Sequence, residues 1–263
     1  MYAIEYQRAK SVADAAAALA RTGGKALAGG QSLVGAMKLR LANPGTVVDL
    51  SGIAELKGIR KEGDAIAIGA LTTHAEVASS AVVKQAIPAL GSLAEGIGDR
   101  QVRNRGTLGG SIANNDPAAD YPAALLALNA TVQTNKRKIS ADDFFKGMYE
   151  TALAADEIIT AVSFPVPKKA AYVKFPNPAS RFALVGVFVA QTAGGVRVAV
   201  TGAAPHVHRA TVIEAALVKS FTADAAKSAK VPADGLNADL HGSAEYRAHL
   251  VSVLAGRAVA AAG

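Results

Sequence analysis

The chain has 263 residues, enough for one large domain or two modest ones, and 51% of them are hydrophobic, which favours a buried core over disorder. It contains no cysteine, which excludes disulfides, cysteine-ligated iron–sulfur clusters, thiolate zinc sites and a cysteine nucleophile. The net charge of +7 allows either nucleic-acid binding or a basic surface for anionic ligands and partners.

The sequence argues against nucleic-acid and membrane partners. The densest basic cluster, Lys136-Arg137-Lys138, has no interleaved aromatic residues. Residues 1–6 lack the basic start and apolar run of a secretory signal, and no apolar stretch reaches about 18 residues without interruption. A cytoplasmic protein without a membrane span is therefore expected.

The start of the chain predicts a small β–turn–α–β unit. Ser11 begins a capping-box pattern and opens a helix, which Gly23 and its neighbours end. An apolar strand over 25–28 then leads into a glycine turn. A helix is predicted over 33–41 and a buried strand over 46–50.

A second unit begins near Ile59, where apolar residues flank a Glu-Gly-Asp turn typical of a hairpin. Thr73 begins another capping box and is expected to open a helix. The pattern then predicts, in chain order, a helix over 88–97, a polar loop over 98–105 that leads into a second glycine turn, a helix over 121–128, and strands over 130–134 and 157–164.

The composition changes near Pro167, where a domain boundary is predicted. Three strands are expected over 172–175, 183–191 and 196–203, the last two joined by a glycine hairpin. From about residue 209 the pattern is helical and rich in alanine.

The first glycine turn, residues 28–33, suits phosphate. Gly29 and Gly30 allow positive φ and a close ligand approach, so several backbone N–H groups can point into one concavity. Gln31 and Ser32 add side-chain donors. A plain tight turn between strand and helix explains the same residues equally well. The spacing matches neither the G-x-G-x-x-G fingerprint nor a P-loop.

The second glycine turn is richer in polar residues. Thr107, Ser111 and Asn114 supply short polar side chains beside a Gly-Gly pair. Asp120 follows shortly, where a carboxylate either accepts hydrogen bonds from sugar hydroxyls or caps a helix in solvent. Arg103 and its neighbour Arg105 either pair with phosphate or brace the loop or a partner surface.

Histidine does not indicate a metal site. His206 and His208 lack a nearby acidic or cysteine partner, which favours a surface loop over metal ligation. His74 lies in a capping box and is expected to be structural. No local Ser-His-Asp arrangement is visible, so neither a metal site nor a catalytic residue is predicted on this chain.

Three segments together resemble one family. Residues 28–33 (AGGQSL), 103–110 (RNRGTLGG) and 174–183 (KFPNPASRFA) are similar, in order and separation, to the signatures of the FAD-binding medium subunits of molybdenum hydroxylases. That family includes the carbon monoxide dehydrogenase medium subunit and the xanthine dehydrogenase flavin domain. The resemblance covers nearly the whole chain, and the combination of segments is more specific than any one of them.

The resemblance implies an α+β fold. Residues 1–167 would form a two-subdomain FAD-binding domain of the vanillyl-alcohol-oxidase (PCMH) type, with subdomains at about 1–55 and 56–167. Residues 168–263 would form a C-terminal domain with a three-stranded antiparallel sheet and helices, in agreement with the strand pattern.

The resemblance also implies which residues contact FAD. Residues 26–33 and 107–111 would wrap the diphosphate, and Asp120 would meet ribityl or ribose hydroxyls. The pair Ile158-Ile159 would pack on the adenine or flavin side, and Lys174 would lie near the isoalloxazine. The implied residues are Ala26, Leu27, Ala28, Gly29, Gly30, Gln31, Ser32, Leu33, Ile97, Thr107, Leu108, Gly109, Gly110, Ser111, Asn114, Asp120, Ile158, Ile159 and Lys174.

The implied function is electron transfer within a larger oxidoreductase. A large subunit would carry the molybdenum cofactor, a small subunit would carry two [2Fe–2S] clusters, and the assembly would be a dimer of heterotrimers. The lack of cysteine agrees with clusters on another chain. Two alternatives are a stand-alone flavin oxidoreductase and a nucleotide-binding module without a redox role.

Two positions depart from the family pattern. Ser111 stands where many relatives have asparagine, which shortens the polar group. Asp99 stands where relatives often have histidine, and a carboxylate near the flavin is expected to lower the reduction potential.

Overall fold

The computed structural model describes residues 1–262, and its first sheet confirms the predicted β–turn–α–β unit. Three parallel strands lie in the order β1-β3-β2. The elements are β1 (Glu5–Arg8), α1 (Val12–Thr22), β2 (Lys25–Leu27), α2 (Leu33–Lys38), β3 (Thr46–Asp49) and a 3₁₀ turn (Ala54–Leu56). The Ser11 hydroxyl caps α1 and Gly23 ends it at φ +62°, as the sequence predicts.

The second sheet has five strands in the order β4-β5-β10-β6-β7, with antiparallel pairing throughout. The strands are β4 (Ile59–Glu62), β5 (Ala65–Gly69), β6 (Thr131–Thr134), β7 (Lys138–Ser140) and β10 (Ile159–Pro165). A separate two-stranded ribbon joins β8 (Phe145–Gly147) to β9 (Glu150–Thr151). The predicted β4–β5 hairpin is therefore confirmed.

Short helices cover the second sheet. They are α3 (His74–Ser79), α4 (Ala81–Ala86), α5 (Pro88–Glu95), α6 (Arg100–Arg103), α7 (Leu108–Asn114), α8 (Tyr121–Ala127) and α9 (Ala141–Phe144). Thr73 and Glu76 form the predicted capping box at the start of α3.

The region between α5 and α8 corrects the sequence prediction in two places. The expected loop over 98–105 contains α6, whose first turn is capped by the Asp99 carboxylate. The second glycine turn is not a loop either, because Gly109 and Gly110 lie in the first turn of α7 after the capping residue Thr107. Both helices are too short for the apolar periodicity that identifies a helix from sequence.

The C-terminal sheet is antiparallel, in the order β11-β12-β13-β14. Its strands are β11 (Lys169–Pro176), β12 (Ala183–Thr192), β13 (Gly195–Thr201) and β14 (His208–Arg209), and its helices are α10 (Thr211–Lys219), α11 (Ala223–Ser228) and α12 (Ala244–Ala261). The three predicted strands are confirmed, and the two-residue β14 is an addition.

The C-terminal sheet is buried on both faces. On one face, Phe188, Ala190 and Ala199 belong to the same core cluster as the second sheet and its helices. On the other face, Val187 and Val189 pack with α10 and α12. The hydrophobic core therefore continues across residue 167, and the division into domains at that residue stays a prediction. Among residues 1–262, no helix is long and apolar enough to cross a membrane.

Candidate functional site

The two glycine segments, far apart in sequence, meet in the structure. A Cβ at Gly29 would overlap the carbonyl oxygen of Arg105, so only glycine allows this approach. A Cβ at Gly110 would lie 3.6 Å from that of Ala28. Gly30 adopts φ +78°, a conformation that favours glycine, and turns the chain from β2 into α2. The segments 28–33 and 107–111 thus form one site.

The first segment carries a row of free donors. Within the described part of the chain, the backbone N–H groups of Gly29, Gly30, Gln31 and Ser32 donate to no protein acceptor. The Ser32 hydroxyl also makes no capping bond to α2. Consecutive backbone donors that lack a protein partner form the kind of concavity that binds phosphate oxygens.

The second segment differs, because its backbone donors are already used. Leu108 N–H donates to Thr72 O at 3.0 Å and Gly109 N–H to Ala70 O at 2.8 Å. Gly110 N–H donates to Thr107 Oγ1 at 3.1 Å. A Cβ at Gly109 would lie 2.6 Å from that of Ala70, so this glycine serves close packing. The segment supports the first one, while its predicted FAD contacts stay a prediction.

A cleft opens beside the paired segments. Its walls include Ala28, Gly29, Lys57, Leu71 and Arg105. Both Lys57 and Arg105 are exposed, and neither forms an ion pair with any of residues 1–262. The lining also includes one carboxylate, that of Glu76, so positive charge remains in excess. Together with the free backbone donors, this excess gives the cleft a preference for anions.

The residues before the second segment are braced internally. Arg103 donates to the carbonyl oxygens of Ile97 at 2.9 Å and Gly98 at 3.0 Å, so it braces the loop, one of the two roles considered from sequence. The Asp99 carboxylate accepts from Val102 N–H at 2.8 Å. Its predicted effect on the flavin potential stays a prediction. Ile97 is half-buried against the core.

Asp120 lies at the junction with the C-terminal sheet, where it is 5% exposed. Its carboxylate accepts hydrogen bonds from the Tyr172 hydroxyl and from Lys174 Nζ, the latter at 3.2 Å. Burial raises the pKa of Asp120, and the Lys174 charge and the Tyr172 hydrogen bond oppose that rise. Asp120 occupies the N-cap position of α8, but its side chain is buried and makes no capping bond, so the solvated capping role considered from sequence is wrong. Its contact with cofactor hydroxyls stays a prediction.

The remaining predicted residues surround these features. Ile158 belongs to the core cluster of the first sheet, against which Ala28 packs, whereas Ile159 belongs to the cluster of the second sheet. Ser111 and Asn114 are half-buried on α7. Gln31 and Ser32 are exposed. The geometry brings the two glycine segments together and separates the two isoleucines into different cores.

Sequence reasoning missed a buried polar pair behind the second segment. His74 and Tyr121 lie with their ring centroids 5.3 Å apart, and His74 Nδ1 and the Tyr121 hydroxyl are buried without a hydrogen-bond partner. Burial lowers the pKa of His74 to about 4 and raises that of Tyr121. A Cβ at Gly106 would lie 2.5 Å from His74 Nε2, so this ring supports the chain just before Thr107.

Comparison with known proteins identifies the class. The model of the FAD-binding domain in molybdopterin dehydrogenase matches residues 2–167. The chain belongs to this family of FAD-binding domains, and the matched range contains the first two of the three sequence segments that carry the resemblance.

Full-length relatives agree with that assignment. The chain is 38% identical to the nicotine 6-hydroxylase medium subunit of Paenarthrobacter nicotinovorans, over 99% of this chain and 98% of the relative. It is 36% identical to the carbon monoxide dehydrogenase medium chain of Hydrogenophaga pseudoflava, over 98% of this chain and 96% of the relative.

Solved structures show the same fold. A chain of the reconstituted CO dehydrogenase from Oligotropha carboxidovorans superposes with a TM-score of 0.93 at 34% identity, covering 99% of this chain and 98% of that one. A chain of quinoline 2-oxidoreductase from Pseudomonas putida 86 superposes with a TM-score of 0.89 at 30% identity, covering 99% of this chain and 97% of that one. These matches confirm the α+β fold with its C-terminal antiparallel sheet.

Proposed function

We propose that the chain is the FAD-carrying electron-transfer subunit of a molybdenum hydroxylase. In this role it receives electrons from two [2Fe–2S] clusters on a small partner subunit and passes them to an external acceptor, while a large partner subunit carries the molybdenum cofactor. The proposed assembly is a dimer of heterotrimers in the cytoplasm. The relatives support it, because they include the medium subunit of a hydroxylase and the medium chain of a dehydrogenase.

The observation that carries the cofactor assignment is the row of free N–H groups from Gly29 to Ser32. A diphosphate supplies the oxygen acceptors that these donors lack, and the cations Lys57 and Arg105 beside them match its negative charge. The chain's own residues therefore fit FAD, which supplies the redox chemistry when bound.

The other predicted residues are proposed to complete the site. Thr107 and Ser111 would face the diphosphate from the second segment, and Ile158 would offer an apolar surface to the adenine or flavin. Lys174, which is 13% exposed, would place a positive charge near the polar edge of the isoalloxazine. Each of these residues binds or orients, and none is needed as an acid or base toward an organic substrate.

Cofactor binding is tested with the purified chain and a visible spectrum before and after addition of FAD. The expected result is a yellow protein with a resolved flavin absorption band, or one that acquires it on titration. A chain that stays colourless and binds no FAD would support the nucleotide-binding module instead.

The subunit role is tested by affinity purification from the native host. We expect one larger and one smaller chain to co-purify, with molybdenum and iron in the complex and neither metal in the isolated chain. Turnover of an organic substrate by the isolated flavoprotein would instead support a stand-alone oxidoreductase.

A further inference from the structure

We propose that Tyr172 is a positioning residue that holds the Asp120 carboxyl group against Lys174, and that this network fixes the loop at Gly96 that leads toward the second glycine segment. The inference rests on the proposed function in one step only, the link from this loop to FAD, which depends on the proposed contact of Ile97 with the cofactor. The network itself is a property of the chain's own residues.

The contacts form a continuous chain from the C-terminal sheet to the loop. Tyr172 and Lys174 lie two residues apart on β11, so both point to the same face of the strand. The Tyr172 hydroxyl donates to Asp120 Oδ1, and Lys174 Nζ donates to Asp120 Oδ2 at 3.2 Å. Lys174 Nζ also donates to Gly96 O at 2.9 Å. This series of hydrogen bonds therefore reaches the residue before Ile97.

The neighbouring strand is shaped to let the Tyr172 hydroxyl reach Asp120. Gly186 on β12 pairs with Lys174, and a Cβ there would overlap the Tyr172 hydroxyl oxygen. The Tyr172 ring is held by Phe188, with centroids 6.0 Å apart. An ordinary side chain at residue 186 would therefore displace the hydroxyl, so the glycine is explained by the hydrogen bond that it permits.

The Tyr172 hydroxyl affects the protonation of Asp120. Because Asp120 is buried, its charged form depends on the few groups that face it, namely Tyr172 and Lys174 on β11 and the adjacent Tyr121. The packed β12 carries no charged residue, and α5 carries only Glu95. Loss of the Tyr172 hydroxyl removes a group that lowers the pKa of Asp120, so the carboxyl takes up a proton at higher pH and the ion pair with Lys174 is lost.

The first test is a carboxyl titration by carbon-13 NMR on the full chain labelled at aspartate, without added flavin. Tyr172→Phe is expected to raise the titration midpoint of Asp120 by about one pH unit, the size expected for loss of one hydrogen bond to a charged group. The Asp120 signal is assigned by its absence in Asp120→Asn. The matched control is Tyr246→Phe, since Tyr246 is 42% exposed and lies against Phe175 away from this network.

The second test measures the FAD dissociation constant against pH. Tyr172→Phe is expected to bind FAD about tenfold more weakly at a pH where Asp120 is protonated in the variant and ionised in the wild type. Tyr246→Phe is expected to match the wild type throughout. If Tyr172→Phe folds poorly, Gly186→Ala displaces the same hydroxyl and is expected to shift the Asp120 titration in the same direction.

Superimposable Asp120 titrations in the wild type and in both variants would overturn the inference, as would an equal shift in the Tyr246→Phe control. A wild-type chain that binds no FAD would overturn the proposed function alone, because the carboxyl titration needs no flavin. A shifted titration with unchanged FAD affinity would overturn the link from the loop at Gly96 to FAD.

Discussion

Gly29 lies where the two glycine segments approach so closely that an added methyl group would disrupt the site. A Cβ there would overlap the carbonyl oxygen of Arg105, and neither backbone can yield without moving its segment. Gly29→Ala is expected to lower the free energy of unfolding by about 1–3 kcal/mol, the usual cost of overpacking, and to weaken FAD binding at least tenfold. Urea denaturation and FAD titration measure the two effects.

The control for that substitution is Gly35→Ala in α2, where a Cβ would meet nothing within 4 Å. Alanine is the better helix former, so this variant is expected to be as stable as the wild type or more stable by up to about 1 kcal/mol. Equal FAD affinity in both variants would show that the contact between Gly29 and Arg105 does not shape the site.

His74 gives the protein an acid sensitivity with a defined sign. Burial lowers its pKa from 6.5 to about 4, so between these values the unfolded chain binds a proton that the folded chain does not. The free energy of unfolding therefore falls as the pH is lowered through this window, by at most about 3 kcal/mol. In His74→Gln this part of the pH dependence should disappear from urea denaturation at pH 4.5 to 7.

The exposed His249 provides a comparison, because His249→Gln removes an imidazole that is not buried. Burial also raises the pKa of Asp120, which adds to the pH dependence, so the informative quantity is the difference between wild type and variant at each pH. Parallel curves for wild type and His74→Gln would contradict the assignment of the acid sensitivity to His74.

Among the elements, α7 begins at a side-chain cap that lies beside the first glycine segment. Thr107 Oγ1 accepts from Gly110 N–H at 3.1 Å, and Thr107 is buried. Thr107→Ala is expected to lower the free energy of unfolding by about 1–2 kcal/mol and to weaken FAD binding, since the freed first turn of α7 supports the first segment. Thr107→Ser restores the hydroxyl and should restore most of both quantities.

A second capping threonine separates stability from binding. Thr222 caps α11 in the C-terminal region by the same type of bond, to Ala225 N–H at 3.3 Å. Thr222→Ala should cost a similar free energy of unfolding without changing the FAD dissociation constant. An equal loss of FAD affinity in Thr107→Ala and Thr222→Ala would mean that α7 has no special role at the site.

The elements that sequence predicted are those whose signals are local. The Ser11 and Thr73 caps and the β4–β5 hairpin are each specified by residues that are neighbours in sequence, and all three are confirmed. The α7 helix was missed because it is too short for apolar periodicity. One of the bonds that hold its first turn, from Gly109 N–H to Ala70 O, also joins residues 39 apart in sequence. At residue scale the same holds for Asp120, whose partners follow 52 and 54 residues later.

At the scale of the whole molecule, the junction at residue 167 is held by a shared core and by polar contacts. Arg197 on β13 donates to Leu126 O at 2.7 Å and forms an ion pair with Asp142. The Thr201 hydroxyl donates a hydrogen bond to Ala119 O at 2.7 Å. These contacts cross the boundary that the sequence predicts from a change of pattern. The pattern alone does not reveal that the residues on its two sides pack against each other.

The full chain is therefore expected to unfold in one cooperative transition, although its sequence divides into two parts. Separation at residue 167 would expose Phe188 and its apolar neighbours to water, at a cost of roughly 25 cal/mol per Å² of apolar surface. Calorimetry should show a single peak with equal calorimetric and van't Hoff enthalpies. Fragments 1–167 and 168–263 should each be poorly soluble alone and should associate when co-expressed. Two separate transitions, each reproduced by one isolated fragment, would instead establish two independent domains, and the Asp120–Tyr172 contact would then join bodies that fold separately.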